Sequence, residues 1–135
     1  MTNVHFVLNG KIMEKIDDYI GRVFHNETFV EMLLRLIDEK GLSDSEVYKR
    51  ANLDRKFFSK LRCDKNYKPK KKNVVALALA LELDNSTSKK LIKKAGYILT
   101  GSNMFDVVIR YCIENEIYNI IQVNTLLEER GLETL

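Results

Sequence analysis

An all-α fold, a compact bundle of about seven or eight short helices, is what this sequence predicts, and three observations predict it. Apolar residues recur at helical spacing in one segment after another. Two capping-box patterns, Thr28 to Glu31 and Ser43 to Glu46, stand directly ahead of such segments. Gly and Pro are scarce, six and one in 135 residues, too few for a loop-rich or all-β chain.

The elements follow in order. Val4, Phe6 and Leu8 alternate ahead of Asn9-Gly10, the pattern of a short strand or extended arm. From Lys11 the period changes: Ile12, Ile16, Tyr19, Ile20, Val23 and Phe24 form one helical stripe, which His25-Asn26 interrupts. After the Thr28 cap, Val30, Leu33, Leu34 and Ile37 continue at helical spacing until Gly41 closes the helix in the left-handed conformation. Ser43 caps a short helix to about Ala51. Asn52 suits the left-handed turn after it, and Asp54 can cap the next helix, through about Arg62. Cys63 to Lys72 reads as a lysine-rich loop with the only proline, Pro69. Asn73 is the expected cap of the apolar helix VVALALALEL, which runs to about Asp84. A helix from Asn85 or Ser86 ends at Gly96. Ser102 to Asn115 and Asn119 to Arg130 read as two more, the last closed by Gly131.

Composition bounds the rest. The length suits one domain with a core of its own, and 45% hydrophobic with 30% charged residues describes an ordinary soluble chain. Cys63 and Cys112 lack partners at metal spacing, which favours a reducing cytoplasm. No apolar run nears the ~18 residues of a membrane span, and MTNVHFVLNG has no signal-peptide character. A cytoplasmic protein with no membrane partner is therefore expected. The net charge of +3 conceals a pattern: Met1 to Tyr48 sums to −4, Lys49 to Lys94 to +11, and Ala95 to Leu135 to −4. Such asymmetry favours a polyanion partner.

The informative stretch lies at the start of the basic segment. In SDSEVYKRANLDRKFFSKL, Ser43 to Leu61, two helices of about eight residues meet at a turn centred on Asn52. Val47 and Ala51 can pack on Leu53, Phe58 and Leu61. That is a helix-turn-helix, whose second helix can enter a major groove. The expected organisation is an N-terminal arm and amphipathic helix over 1–26, a helix-turn-helix domain over 27–100, and a C-terminal helical pair over 101–135 on the same core.

Here the chain resembles the phage-repressor-like, Xre-type family, from about Phe29 to Leu91. Ser43 as cap, Glu46, Val47, Ala51, Ser59 and Leu61 carry the resemblance. It implies a small bacterial or mobile-element DNA-binding regulator of transcription. Three positions depart from the family pattern: Asp44 replaces a Gln that contacts phosphate or base, Tyr48 replaces a small Ala at the helix crossing, and Asn52 replaces the turn Gly. Tyr48 requires the pair to open or the ring to swing outward. The run from ETFVEMLLRLIDEKGLSDSEVYKR through NYKPKKK to LIKKAGYILTGSNMFDVVIRYCIENEIYNI also resembles the helical segment that follows macro domains in some bacterial proteins. No macro domain is present in these residues, and no ADP-ribose chemistry follows from that likeness.

The candidate nucleic-acid-binding residues are Arg55, Lys56, Ser59, Lys60 and Arg62 on the second helix, with Lys65, Lys68, Lys70, Lys71 and Lys72 behind it. Arg55, Ser59 and Arg62 fall at i, i+4 and i+7, one helix face, suited to guanine edges and phosphates. Lys49 and Arg50 can contact flanking backbone. Duplex DNA is the expected partner. The competing reading is a protein-binding adaptor or inhibitor on the same scaffold, which Asp44 and Tyr48 favour; a structured-RNA binder using the lysine loop is a third. Phe57 either joins Phe58 and Leu61 in the core or touches a thymine methyl or protein partner, and the core is expected. The C-terminal apolar residues, Phe105 to Leu127, are expected mostly to complete the core, any exposed strip marking a homodimer or partner surface. An enzyme is not expected. His5 and His25 have no metal-ligand spacing with the cysteines, and no phosphate-binding Gly loop, nucleophile elbow or HExxH is present, so no cofactor, metal or catalytic residue is implied. Cys63 beside Arg62 and Lys65 is read as a small residue ending a helix.

Overall fold

A computed structural model describes residues 5–24 and 27–135 and gives an all-α bundle with one small hairpin. The order is β1 (His5–Leu8), β2 (Lys11–Glu14), α1 (Ile16–Val23), α2 (Phe29–Glu39), α3 (Asp44–Arg50), α4 (Arg55–Cys63), α5 (Lys71–Ala80), α6 (Asn85–Lys94), α7 (Met104–Glu114) and α8 (Ile120–Glu128). Val4, His25 and Asn26, which the sequence reading used, lie outside the described residues.

The N-terminal segment corrects one expectation. Lys11 to Glu14 is a strand rather than the start of a helix, antiparallel to β1 with Val7 opposite Ile12 and Leu8 opposite Lys11. The cause is the two-residue loop: Asn9 and Gly10 have φ of 50° and 76°, the primed turn whose twist suits a hairpin. The helical stripe begins only at Ile16.

The core is one contiguous cluster built around α5. Every residue from Val74 to Ala80 is buried, which an amphipathic helix cannot achieve. The alternating Ala76, Ala78 and Ala80 let neighbouring helices approach closely, and α5 packs against α3, α6 and α8. Phe29, Val30, Leu33 and Ile37 from α2, Leu91 and Ile92 from α6, Ile109 and Cys112 from α7, and Val123 and Leu127 from α8 close around it. The C-terminal pair thus belongs to the same core. Ile121 is an exception within this C-terminal apolar segment and is 76% exposed.

Helix α5 also starts and stops elsewhere than expected. Lys70, not Asn73, is the cap, without a side-chain hydrogen bond. Two tertiary contacts hold that first turn. Tyr97 donates its hydroxyl to the Pro69 carbonyl at 2.8 Å, and Lys71 forms a 2.8 Å ion pair with Asp106 on α7. Asp106 is only 2% exposed, and its carboxylate also accepts from the Thr100 backbone N–H at 2.9 Å. Burial pushes the Asp106 carboxyl up, but the hydrogen bonds from Lys71 and Thr100 outweigh it and hold the group below its ordinary range. The helix ends at Ala80 because Glu82 turns left-handed at φ 52°. The Leu83 carbonyl beyond it accepts from the hydroxyls of Ser88 and Tyr118.

The same C-terminal device recurs in six helices. Gly41, Asn52, Glu82, Gly96, Glu116 and Gly131 all have positive φ. Each is followed by an apolar residue whose N–H returns to the carbonyl five residues before it, as Leu42 does to Ile37 and Ile117 to Cys112. At the N-termini, Thr28 and Ser43 form complete capping boxes. Asp54, Asp84, Asn103 and Asn119 cap the helices that follow them. Helix α6 is thus capped one residue before Asn85, and α7 and α8 are each shorter than their sequence patterns at both ends.

Two stability measurements check these assignments. Asp106→Ala leaves Lys71 and the Thr100 N–H without their acceptor and is expected to cost about 3 kcal/mol by chemical denaturation. Because its folded pKa is depressed, the Asp106 contribution is present above the unfolded carboxyl value near ~4 and is lost as pH falls through the folded value, so Asp106→Asn flattens the acid limb of the stability profile. At the other positions, Glu116→Gly relieves a left-handed non-glycine residue. It is expected to raise stability by about 0.5–1 kcal/mol in the same assay.

Candidate nucleic-acid interface

Helices α3 and α4 meet through a turn in which Asn52 at φ 57° sends the Leu53 N–H back to the Tyr48 carbonyl at 2.8 Å. Asp54 then caps α4, accepting from the Phe57 N–H at 2.9 Å. Val47, Ala51, Phe58 and Leu61 are buried between the two helices and the core, with Leu53 half-buried beside them. Tyr48 does not swing fully out. It stays half-buried, with its ring edge-on to Phe58 at 5.8 Å between centroids. Phe57 is half-buried as well and lies 6.0 Å from the Tyr67 ring, at the border of the core.

With Phe58 and Leu61 inward, Arg55, Lys56, Ser59 and Lys60 are left exposed on the other side of α4. Ser59 donates its hydroxyl to the Arg55 carbonyl at 3.1 Å, which leaves its oxygen free only as an acceptor. Arg62 is placed differently. Its guanidinium forms two parallel bonds to Asp44 at the start of α3, at 3.0 and 2.7 Å. Those hydrogen bonds raise the Arg62 pKa above its ordinary value. Asp44 is thus not an isolated carboxylate; it is neutralised by one of the expected reading residues. Asp44, Ser45, Tyr48, Arg55, Ser59 and Arg62 line a groove of about 370 Å³ between the helices, beside the exposed Cys63 that ends α4.

The lysine loop divides. Lys65 and Lys70 are exposed. Lys68 lies over the Tyr97 ring at 5.2 Å and against Gly96, where an added Cβ would come within 3.2 Å of its Nζ. Lys71 and Lys72 are on α5, not in the loop, and form ion pairs with Asp106 and Glu133. Lys94 on α6 was not singled out from sequence. It lines one groove with Lys65 and Lys68 beside the α2 cap, and donates to the Glu27 carbonyl at 2.8 Å. Only its membership of the +11 segment signalled it.

Among the described residues no group of His, Cys, Asp and Glu could hold a metal ion, and no helix is long and apolar enough to cross a membrane. Comparison with family models, curated proteins and solved structures returned no match.

The Asp54 cap tests the local architecture. Asp54→Ala is expected to cost about 1 kcal/mol in thermal or denaturant unfolding, and Asp54→Asn considerably less, since both caps accept from the same N–H.

Proposed function

We propose that α3, the Asn52 turn and α4 form a helix-turn-helix that binds nucleic acid, duplex DNA in the first place, as a cytoplasmic regulator without catalytic activity. The observation that supports this best is the division of α4. Phe58 and Leu61 anchor one side in the core, while Arg55, Lys56 and Lys60, all within the +11 segment, stand exposed on the other. Arginine and lysine in such a position can donate to guanine edges and phosphates. Lys49, Lys65 and Lys70 add exposed charge for flanking phosphates. The resemblance to the Xre-type family points the same way.

A second reading has its own observation. The Asp44–Arg62 pair withdraws a cation from the reading face and sets a carboxylate at its edge, an arrangement suited to a protein surface bearing charges of both signs. In that reading the scaffold serves a protein-binding adaptor or inhibitor.

Fluorescence anisotropy with random duplex DNA and single-stranded RNA over a salt series separates the two. Neutralisation of about five phosphates gives a slope of log K against log salt near about −4.5, and Arg55→Ala/Lys56→Ala/Lys60→Ala reduces it to about −2. Equal, weak duplex binding by wild type and triple variant overturns groove reading. Tight, salt-steep duplex binding overturns the pure adaptor. Asp44→Asn releases Arg62 and removes a negative charge, so duplex affinity rises several-fold. Stability changes by less than about 1 kcal/mol, because side-chain exposures of 50% and 37% screen the pair.

A further inference from the structure

Lys65 and Lys68 from the loop after α4 and Lys94 at the end of α6 line one cleft of about 340 Å³, beside Thr28 and Phe29 at the start of α2. Among the described residues no carboxylate lines it. Its volume lies at the lower end of the ~300–1,000 Å³ of small-ligand sites. Two of the three cations are held in place. Lys94 is half-buried and donates to the Glu27 carbonyl at 2.8 Å, which leaves two of its three N–H donors for another acceptor. Lys68 lies over the Tyr97 ring, 5.2 Å from its centroid, and its Nζ uses the space that Gly96 leaves by having no Cβ. The nearby carboxylates are engaged elsewhere. Glu27 gives both oxygens to Arg35, at 2.9 and 3.0 Å, and Asp64 accepts from the Asn66 N–H at 2.9 Å. The bond from Arg35 holds the Glu27 carboxyl below its ordinary range, with the charges of Arg35 and Lys94 adding to it. Lys94 is thus partly balanced, whereas Lys65 and Lys68 meet no carboxylate in the cleft.

We propose that this cleft binds a multiply charged phosphate group, a phosphomonoester dianion or a diphosphate. Like charges gathered at one cleft repel, and an anion of more than one charge relieves a repulsion that a monoanion offsets only in part. Ammonium groups act as point charges with three donors each. They suit a tetrahedral group whose oxygens point several ways, whereas a planar carboxylate offers two oxygens and one charge. Phe29, almost wholly buried, and the half-buried Tyr67 form the apolar part of the lining, which screens charge less than open water does. A backbone phosphodiester carries a single charge, which sets this cleft apart from the backbone contacts proposed for α4. Of the cations proposed for that surface only Lys65 is shared, so the inference does not rest on α4 reading DNA. The group is carried either by a phosphorylated small molecule or by the phosphorylated end of a nucleic-acid strand, and the chemistry at the cleft is the same.

Isothermal titration of the full chain with inorganic pyrophosphate, at constant ionic strength, tests it. Wild type is expected to show one saturable site per chain that acetate does not fill. Lys65→Met/Lys68→Met removes two exposed cations and is expected to weaken binding at least about ten-fold, with unchanged far-ultraviolet circular dichroism. Lys94→Gln keeps a donor for the Glu27 carbonyl while removing the charge, and weakens binding as well. Arg55→Ala/Lys56→Ala/Lys60→Ala is expected to bind pyrophosphate as wild type does, so failure of this site and failure of groove reading are separate results. Displacement of pyrophosphate by ADP and not by adenosine assigns a phosphorylated small molecule. Displacement by a 5′-phosphorylated oligonucleotide and not by its unphosphorylated counterpart assigns a strand end. Absent or unsaturable pyrophosphate binding overturns the proposal. So does binding that survives Lys65→Met/Lys68→Met or is lost with the α4 variant. Equal displacement by the unphosphorylated oligonucleotide makes the cleft a backbone contact and equally overturns it, as does displacement by neither phosphorylated competitor.

Discussion

Burial of α5 on all sides constrains the rest of the molecule. A helix with seven consecutive buried residues can be satisfied only if neighbours cover its whole circumference. Leucine and valine provide the bulk, and the alanines between them set how near α3, α6 and α8 come. The position of α4, and hence of its basic face, is inherited from this packing through α3. The N-terminal turn of α5 depends on polar chemistry. It lacks a side-chain cap and is held by Lys71, Asp106 and the Tyr97 hydroxyl. A buried ion pair is a weak source of net stability but a strong source of registry, since either partner alone is costly to leave unpaired.

Much of this fold was legible because helix ends write themselves locally. Thr28, Ser43, Asp54 and Asn119 cap where their side chains can reach the N–H groups two or three residues on, and Gly41, Gly96 and Gly131 close helices where a left-handed residue is needed. Lys70, Glu82 and Glu116 escaped notice for the converse reason. Their conformations follow from tertiary packing, with an apolar residue pulled back onto the core just after Glu82 and Glu116, and no local propensity announces them. At the N-terminus, Ile12 fits a helical stripe by spacing, yet the Asn9-Gly10 turn overrode the period and made it a strand.

The candidate site was legible as composition and only partly as geometry. The basic segment and the inward positions of Phe58 and Leu61 follow from counting along the chain. Which cations are spoken for does not. Arg62 finds Asp44 eighteen residues away, Lys71 finds Asp106 thirty-five away and Lys72 finds Glu133 sixty-one away. Charge tallies treat all lysines and arginines alike. The fold sorts them into braces and exposed groups.

The bond between Asp44 and Arg62 makes the edge of α4 a balance between two acceptors. The carboxylate presents to the guanidinium the same pair of oxygens that a phosphate would. In the proposed function, an incoming polyanion gains from Arg62 only the difference between its own bond and the one it displaces. An internal mimic of this kind lowers the yield from loosely held, randomly placed anions more than from one whose oxygens fit the fork. It works as a threshold on ligand geometry, set by one residue of the preceding helix.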